Sequence, residues 1–242
     1  KDLMTSLQGE NIKVAQSRTQ IQHLAHHDSL TNLPNRLYGE TLFNLSLREC
    51  EESGQSLALL FIDLDNFKPI NDALGHAAGD QLLKSLTEQL NEILLPRQYL
   101  IRFGGDEFLV IAPFNPQSDE LTSLANSLIG QCASVFDIFQ NQVTVSASLG
   151  TASAPKDGTD FKQLCRKADI AMYKAKQDGR NTYHHYDESL DKASENKFKM
   201  LQLLRPALSE QQFELHYQPI VELKSGNINT LEALLRWPQP DG

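Results

Sequence analysis

The sequence predicts an α+β fold, an α/β sandwich on a βαββαβ core, and three observations carry that expectation. Residues 56–65 form an almost continuous apolar run, the pattern of a strand buried on both faces. Residues 99–112 are two apolar runs separated by Gly104-Gly105, which reads as two antiparallel strands and a tight turn. Helix-spaced apolar residues fill the stretches between strands, the arrangement of a split β-α-β sandwich. With 242 residues, 40% of them hydrophobic, the chain can bury one large or two modest domains.

Residues 1–26 are polar, with Leu7, Val14 and Ile21 seven apart, which suits a coiled-coil or connecting helix. Asp28 can cap the following turn, and Pro34 lies near the start of a helix running to about Cys50. Its apolar positions include Leu37, Leu42, Leu45 and Leu47. The buried strand ends in Asp63 and Asp65, which share a face. Residues 69–76 read as a short connection. A helix over 80–95 follows, with Leu82, Leu83, Leu86, Leu90 and Ile93 inward and Pro96 as its stop. After the glycine hairpin comes a helix over about 119–137, with Val135 among its inward residues. Residues 142–153 alternate as a strand, Asp160 to Lys176 reads as a helix, and Asn181 to Tyr186 as a short strand. Residues 187–211 are charged and partly helical, over Lys199 to Leu208. Two alternating runs, from Phe213 and from Ile228, close the chain.

A formal net charge of -9 argues against a nucleic-acid polymer as partner. Cys50, Cys132 and Cys165 lack metal-ligand spacing and suit a reducing compartment. No run is long enough to span a membrane, so the expected location is cytoplasmic. The chain reads as a piece of a longer protein, which leaves a membrane anchor elsewhere open.

The chemistry gathers at the strand ends. A carboxylate at the end of a buried strand is costly unless paired, protonated or metal-bound. Asp63, Asp65, Asp106 and Glu107 have only Lys68 and Arg102 as obvious neighbouring cations in sequence. Converging acidic groups make a hard oxygen site suited to Mg²⁺ carrying phosphates. Glycines 104 and 105 permit positive φ and close approach of a ligand to the backbone.

Arg102-Phe-Gly-Gly-Asp-Glu-Phe108 resembles the signature of the GGDEF family, the diguanylate cyclases. His27 to Arg36, Asp63 to Asp80, and Ala168 to Asn181 resemble its other motifs, in the family's order and spacing over about residues 24–186. The resemblance implies a palm-like nucleotidyl cyclase core and the reaction of two GTP to cyclic di-GMP and two pyrophosphates. It implies Asp63, the carbonyl of Leu64, Asp106 and Glu107 around two Mg²⁺ (or Mn²⁺) per half-site, with Asp106 and Glu107 as the catalytic pair. It further implies substrate contacts from Asn66, Phe67, Lys68, Gly104 and Gly105, guanine recognition by Asn71 and Asp80, and phosphate binding by Lys176 and Arg180. One half-site cannot close the ring, so a homodimer is implied.

Taken alone, Asp80 suits a helix N-cap better than a guanine contact, and Lys176 and Arg180 suit a helix C-terminus. Leu95 and Gln98 stand where many cyclases carry an Arg–Asp product-inhibition pair. Tyr217-Gln-Pro219 and Glu232-Ala-Leu-Leu-Arg236 resemble the opening motifs of the EAL family, barrel-fold cyclic di-GMP phosphodiesterases. Glu232 would be a metal ligand there. Such a barrel needs about 250 residues, so only its start is expected and its strands should pack poorly or pair elsewhere. The expected organisation is a signalling helix over 1–26, a GGDEF domain over 27–186, a linker over 187–211 and an EAL start over 212–242. An upstream sensor and the rest of the EAL domain are the expected neighbours. The alternative function is a GTP-binding regulatory domain that controls the EAL phosphodiesterase.

Overall fold

A computed structural model describes residues 23–224 and 226–238. The heptad positions Leu7, Val14 and Ile21 lie outside the described residues. Contacts divide the chain into two units, 1–190 and 191–242.

The first unit starts with a turn in which Asp28 Oδ1 accepts from the Thr31 amide (2.9 Å) and hydroxyl (2.7 Å). Helix α1 (Arg36–Ser53) follows. Asn35, rather than Pro34, sets its start: its side chain accepts from the Tyr38 amide, 3.0 Å away. Leu42 is buried, but Leu37 and Leu45 are 62% and 52% exposed, so α1 uses a narrower apolar stripe than its leucines suggest. The central strand β1 (Ser56–Asp65) comes next.

The stretch expected as a connection is helix α2 (Phe67–Leu74), which turns at Gly75 into α3 (His76–Ile93). Asp80 therefore lies inside α3, so its capping alternative is not realised. Two strands then form the glycine hairpin, β2 (Tyr99–Gly104) and β3 (Glu107–Phe114).

Helix α4 (Glu120–Cys132) is shorter than expected. Residues 135–144 form a hairpin instead, β4 (Val135–Ile138) with β5 (Asn141–Thr144). Phe136 and Ile138 are buried and Val135 is exposed, a period of two that ends the helix. The turn residues Phe139 and Gln140 both take positive φ, 47° and 67°, without the glycine or asparagine that usually marks such a turn. The strand expected over 142–153 thus divides into β5 and β6 (Ser146–Ala154). Helix α5 (Phe161–Gln177), capped by Asp160 on the Gln163 amide, and strand β7 (Tyr183–His185) complete this unit.

The five-stranded sheet has the order β2-β3-β1-β6-β7. β1 is antiparallel to both β3 and β6, and β7 adds in parallel on the β6 edge. Ala58, Leu60, Ile62 and Leu64 face one apolar layer with Leu82 and Leu86 of α3 and Leu128 of α4. Leu57, Leu59 and Phe61 face the other, with Phe43 of α1 and Leu164 and Ala168 of α5. Burial on both faces explains why β1 reads as an unbroken apolar run.

Helix α6 (Glu188–Ser209) spans the boundary between the units. In the second unit β8 (Glu214–Val221) pairs antiparallel with β9 (Ile228–Arg236). These strands, expected to pack poorly or pair elsewhere, pair with each other and are exposed along nearly their whole length. Among the described residues, no helix is long and apolar enough to cross a membrane.

Candidate functional site

Alternation along β1 sends Asp63 and Asp65 to the α1/α5 face, in line with Leu57, Leu59 and Phe61. Glu107 is the register partner of Asp63 across the β1–β3 ladder, so these two carboxylates are neighbours on one face. Asp106 sits in the glycine turn, and its carbonyl accepts from the Leu64 amide at 3.3 Å. Gly104 and Gly105 take φ of 155° and 52°, which the turn needs and only glycine adopts easily at the first. Buried Arg102 lies behind the turn: its guanidinium donates to the Gly105 carbonyl and stands 3.9 Å from Asp28.

A cleft of about 310 Å³ opens at this end of the sheet. It is lined by Asp63 to Pro69, Asp106, Lys176 and Arg180. Helix α5 delivers Lys176, whose Nζ pairs with Asp63 Oδ1 at 2.7 Å. Of the expected site residues, Asp63, Leu64, Asn66, Phe67, Lys68, Asp106, Lys176 and Arg180 therefore meet here. Asn71 and Asp80 lie on α2 and α3 outside this lining, with the Asn71 side chain seated over Gly79. Glu107 lines an adjoining cleft of about 330 Å³ with Arg36, Phe103 and Asp169. Glu232 belongs to the second unit, on β9 opposite Gln218.

The electrostatics of the site are those of crowded negative charge. Burial pushes the Asp63 carboxyl up, and Asp106 and Asp65 push the same way against the pull of Lys176. Burial also raises Glu107, reinforced by Asp63, Asp169 and Asp106. A divalent cation would relieve that repulsion. Among the described residues, no three acidic, histidine or cysteine side chains form a ready-made metal cage. The donors fit Mg²⁺, which binds through one or two carboxylates and completes its octahedron with substrate phosphates and water.

Two features of the site were not legible as pairs in the sequence. Lys176 is the closest cation to Asp63, where the sequence offered only Lys68 and Arg102 as neighbours. Asp65 is sequestered by β6: its carboxylate accepts from the Ser146 and Ser148 hydroxyls, each at 2.7 Å. The alternating Ser-x-Ser at the start of β6 was the available signal.

At the far edge, Gln98 folds back so that its Oε1 accepts from the Leu95 amide at 2.9 Å. Arg97 beside it pairs with Glu49 of α1 at 2.8 Å.

The profile described as "Diguanylate cyclase, GGDEF domain" matches residues 25–182, and that of the EAL domain matches residues 201–242. The chain is 37% identical over 227 residues to MucR of Pseudomonas aeruginosa, a bifunctional diguanylate cyclase/cyclic di-GMP phosphodiesterase, covering 94% of this chain and 33% of that protein. It is also 37% identical over 238 residues to the cyclic di-GMP phosphodiesterase NbdA of the same organism, covering 96% of this chain and 30% of NbdA. The chain thus spans about a third of the length of these curated relatives. Among solved structures, the GGDEF domain of YfiN (TpbB) from Pseudomonas aeruginosa superposes with a TM-score of 0.67 at 35% identity, covering 70% of this chain and 99% of that one. The coiled coil and GGDEF domain of DgcB from Caulobacter crescentus, solved with c-di-GMP, gives 0.65 at 25% identity, covering 76% of this chain and 100% of that one.

Proposed function

The chain belongs to the GGDEF family, and we propose on that footing that it is a diguanylate cyclase, condensing two GTP into cyclic di-GMP and two pyrophosphates. The observation that carries this reading is the cleft itself. Asp63 and Asp106 share it with Lys68, Lys176 and Arg180, so carboxylates for a metal and cations for a triphosphate line one cavity.

In this reading Lys176 and Arg180 hold the β- and γ-phosphates, Lys176 exchanging its pairing with Asp63 for the nucleotide. The α2 end of the cleft, with Asn66, Phe67 and Lys68, receives the rest of the phosphate chain, and the glycines 104 and 105 admit it close to the backbone. Asn71 and Asp80 recognise the guanine edge, which offers a carbonyl acceptor and N–H donors. Asp63, the Leu64 carbonyl, Asp106 and Glu107 would hold two Mg²⁺ (or Mn²⁺). When bound, the metal polarises phosphoryl oxygens and lowers the pKa of the attacking hydroxyl.

Each ribose 3′-oxygen forms a bond to the α-phosphorus of the opposite nucleotide as the bond to pyrophosphate breaks, twice per ring. Glu107 is suited either to the metal or to receiving the 3′-hydroxyl proton, since a raised carboxyl pKa improves a general base near neutral pH. Two chains must face each other, because one half-site that binds one GTP cannot close the ring. Residues 27–186 form the cyclase domain, 187–211 the linker and 212–242 the start of an EAL domain, with Glu232 as a metal ligand of the completed barrel. A sensor upstream, the remaining EAL domain downstream and a cytoplasmic location complete this reading.

A second reading is a GTP-binding regulator of the EAL phosphodiesterase, since an EAL match over residues 201–242 follows the GGDEF domain. The name of NbdA points the same way. Incubation with GTP and Mg²⁺, followed by nucleotide separation, tests both. The cyclase reading expects cyclic di-GMP at a rate that grows with the square of protein concentration when dilute, and none from Asp106→Ala. GTP that binds yet stays unconverted would favour the regulator, and a strictly linear dependence counts against the dimer.

A further inference from the structure

We propose that Asp65 is a positioning residue that sets the phosphate-binding loop after α5, and so aims Arg180 into the cleft. The inference rests on the cyclase reading and assigns a role to the one strand-end carboxylate that reading leaves idle.

Asp65 looks like a twin of Asp63 in sequence, two residues on and on the same face. Its surroundings are opposite. The Asp63 side chain is 14% exposed and opens to the cleft, whereas the Asp65 side chain is fully buried. Both of its oxygens are engaged: Oδ1 accepts from the Ser148 hydroxyl, and Oδ2 from the Ser146 hydroxyl and, at 3.2 Å, from the Asn181 amide. The Arg180 Nε stands 3.8 Å from Oδ1. Although Asp65 borders the cleft, its hydrogen bonds turn its carboxylate towards β6 and the loop after α5, and removing those partners would leave an uncompensated charge.

The loop it holds needs holding. Gly179, Arg180 and Asn181 take φ of 111°, 66° and 48° in succession. Left-handed backbone is unfavourable for a residue such as Arg180, though asparagine tolerates it, so Arg180 keeps it only where neighbours fix the loop. The Ala175 carbonyl anchors the Arg180 amide at 3.1 Å, and the Thr182 carbonyl accepts from the Leu149 amide at 3.0 Å. Asp65 supplies the anchor between these two, at the Asn181 amide. The β1 strand end therefore fixes the loop that carries a phosphate cation, while its neighbour Asp63 faces the phosphates. Arg180 itself remains half-exposed, with its direction set by the backbone beneath it and by the Asp65 carboxylate beside its Nε.

The test is calorimetric titration of the 242-residue chain with 3′-deoxyguanosine triphosphate and Mg²⁺, a probe that lacks the attacking hydroxyl and so binds without turnover. Guanosine monophosphate serves as the control ligand. Asp65→Asn is expected to weaken triphosphate binding about tenfold, the scale of losing one charge-assisted contact, and to leave the monophosphate unchanged. In an Arg180→Ala background it is expected to weaken triphosphate binding no further, because its effect runs through that side chain. If Asp65→Asn does not fold, the Ser146→Ala/Ser148→Ala double variant, which only loosens the carboxylate, should show a smaller loss with the same selectivity. Equal losses for both nucleotides, additivity with Arg180→Ala, or unchanged affinity overturns the proposal while leaving the cyclase reading standing. Failure of the unaltered chain to bind the triphosphate overturns both.

Discussion

Replacing Gly150 with alanine is expected to loosen α5 from the sheet and weaken GTP binding without touching any residue of the site. Gly150 lies on β6 opposite Phe61, facing α5. An added Cβ would lie 2.8 Å from the Ala171 carbonyl carbon and closer still to the Ala168 carbonyl oxygen and the Met172 amide nitrogen. These are backbone atoms, so no rotamer change relieves the clash. Moving the most lenient of the three from 2.8 Å to an ordinary 3.4 Å takes about 0.6 Å of helix displacement, and the other two demand more. Overpacking of this kind costs about 1–3 kcal/mol, partly offset by the roughly 0.5–1 kcal/mol that alanine gains over glycine in a strand. Because three backbone atoms clash at once, the cost lies near the top of that range, and the resulting net loss of about 2 kcal/mol corresponds to a fall in Tm of roughly 4–8 °C for a unit of this size. Because α5 carries Lys176, the same displacement should raise KM for GTP, and a shift approaching 1 Å can cost up to about a hundredfold in rate. Thermal unfolding followed by circular dichroism, with steady-state kinetics, measures both. A Tm within about 1 °C of the parent and an unchanged KM would refute the claim that close β6–α5 packing sets the phosphate grip.

Two further outcomes are expected. Burial alone would raise the Asp28 carboxyl, but the Thr31 hydroxyl and amide and the Arg102 charge outweigh it and hold it below its usual value. Its folded pKa therefore lies under the unfolded one, so its contribution is present above about pH 4 and lost as pH falls through the folded value. Denaturant titrations should show Asp28→Asn about 1 kcal/mol less stable at pH 7, with the gap shrinking towards pH 3; a constant gap would contradict this. Gln98 bonded back to Leu95 leaves no Arg–Asp clamp at that edge. Added cyclic di-GMP should therefore inhibit turnover weakly or not at all through it, and strong inhibition abolished by Gln98→Ala would count against that expectation.

Features that follow from period and local chemistry could be read without any neighbour in space. The unbroken apolar run of β1, the glycine pair of the hairpin and the helical spacing of α3 and α5 each bias the chain over a few residues, so they survive reading without neighbours. Family motifs located the acidic strand ends on the same basis. The β4–β5 hairpin escaped notice because Phe139 and Gln140 adopt a turn that their side chains do not favour, and buried Phe136 and Ile138 hold it there. Tertiary structure decided how the charges pair. Asp63 meets Lys176, and Asp65 meets Ser146, Ser148 and Asn181, only because β6 and α5 pack against β1. Spacing in a chain says nothing about groups so far apart along it. Two aspartates that look alike in sequence therefore differ, one lining the cleft beside Lys176 and the other buried among hydroxyl and amide donors, since burial and available donors, rather than residue type, fix what a carboxylate can do.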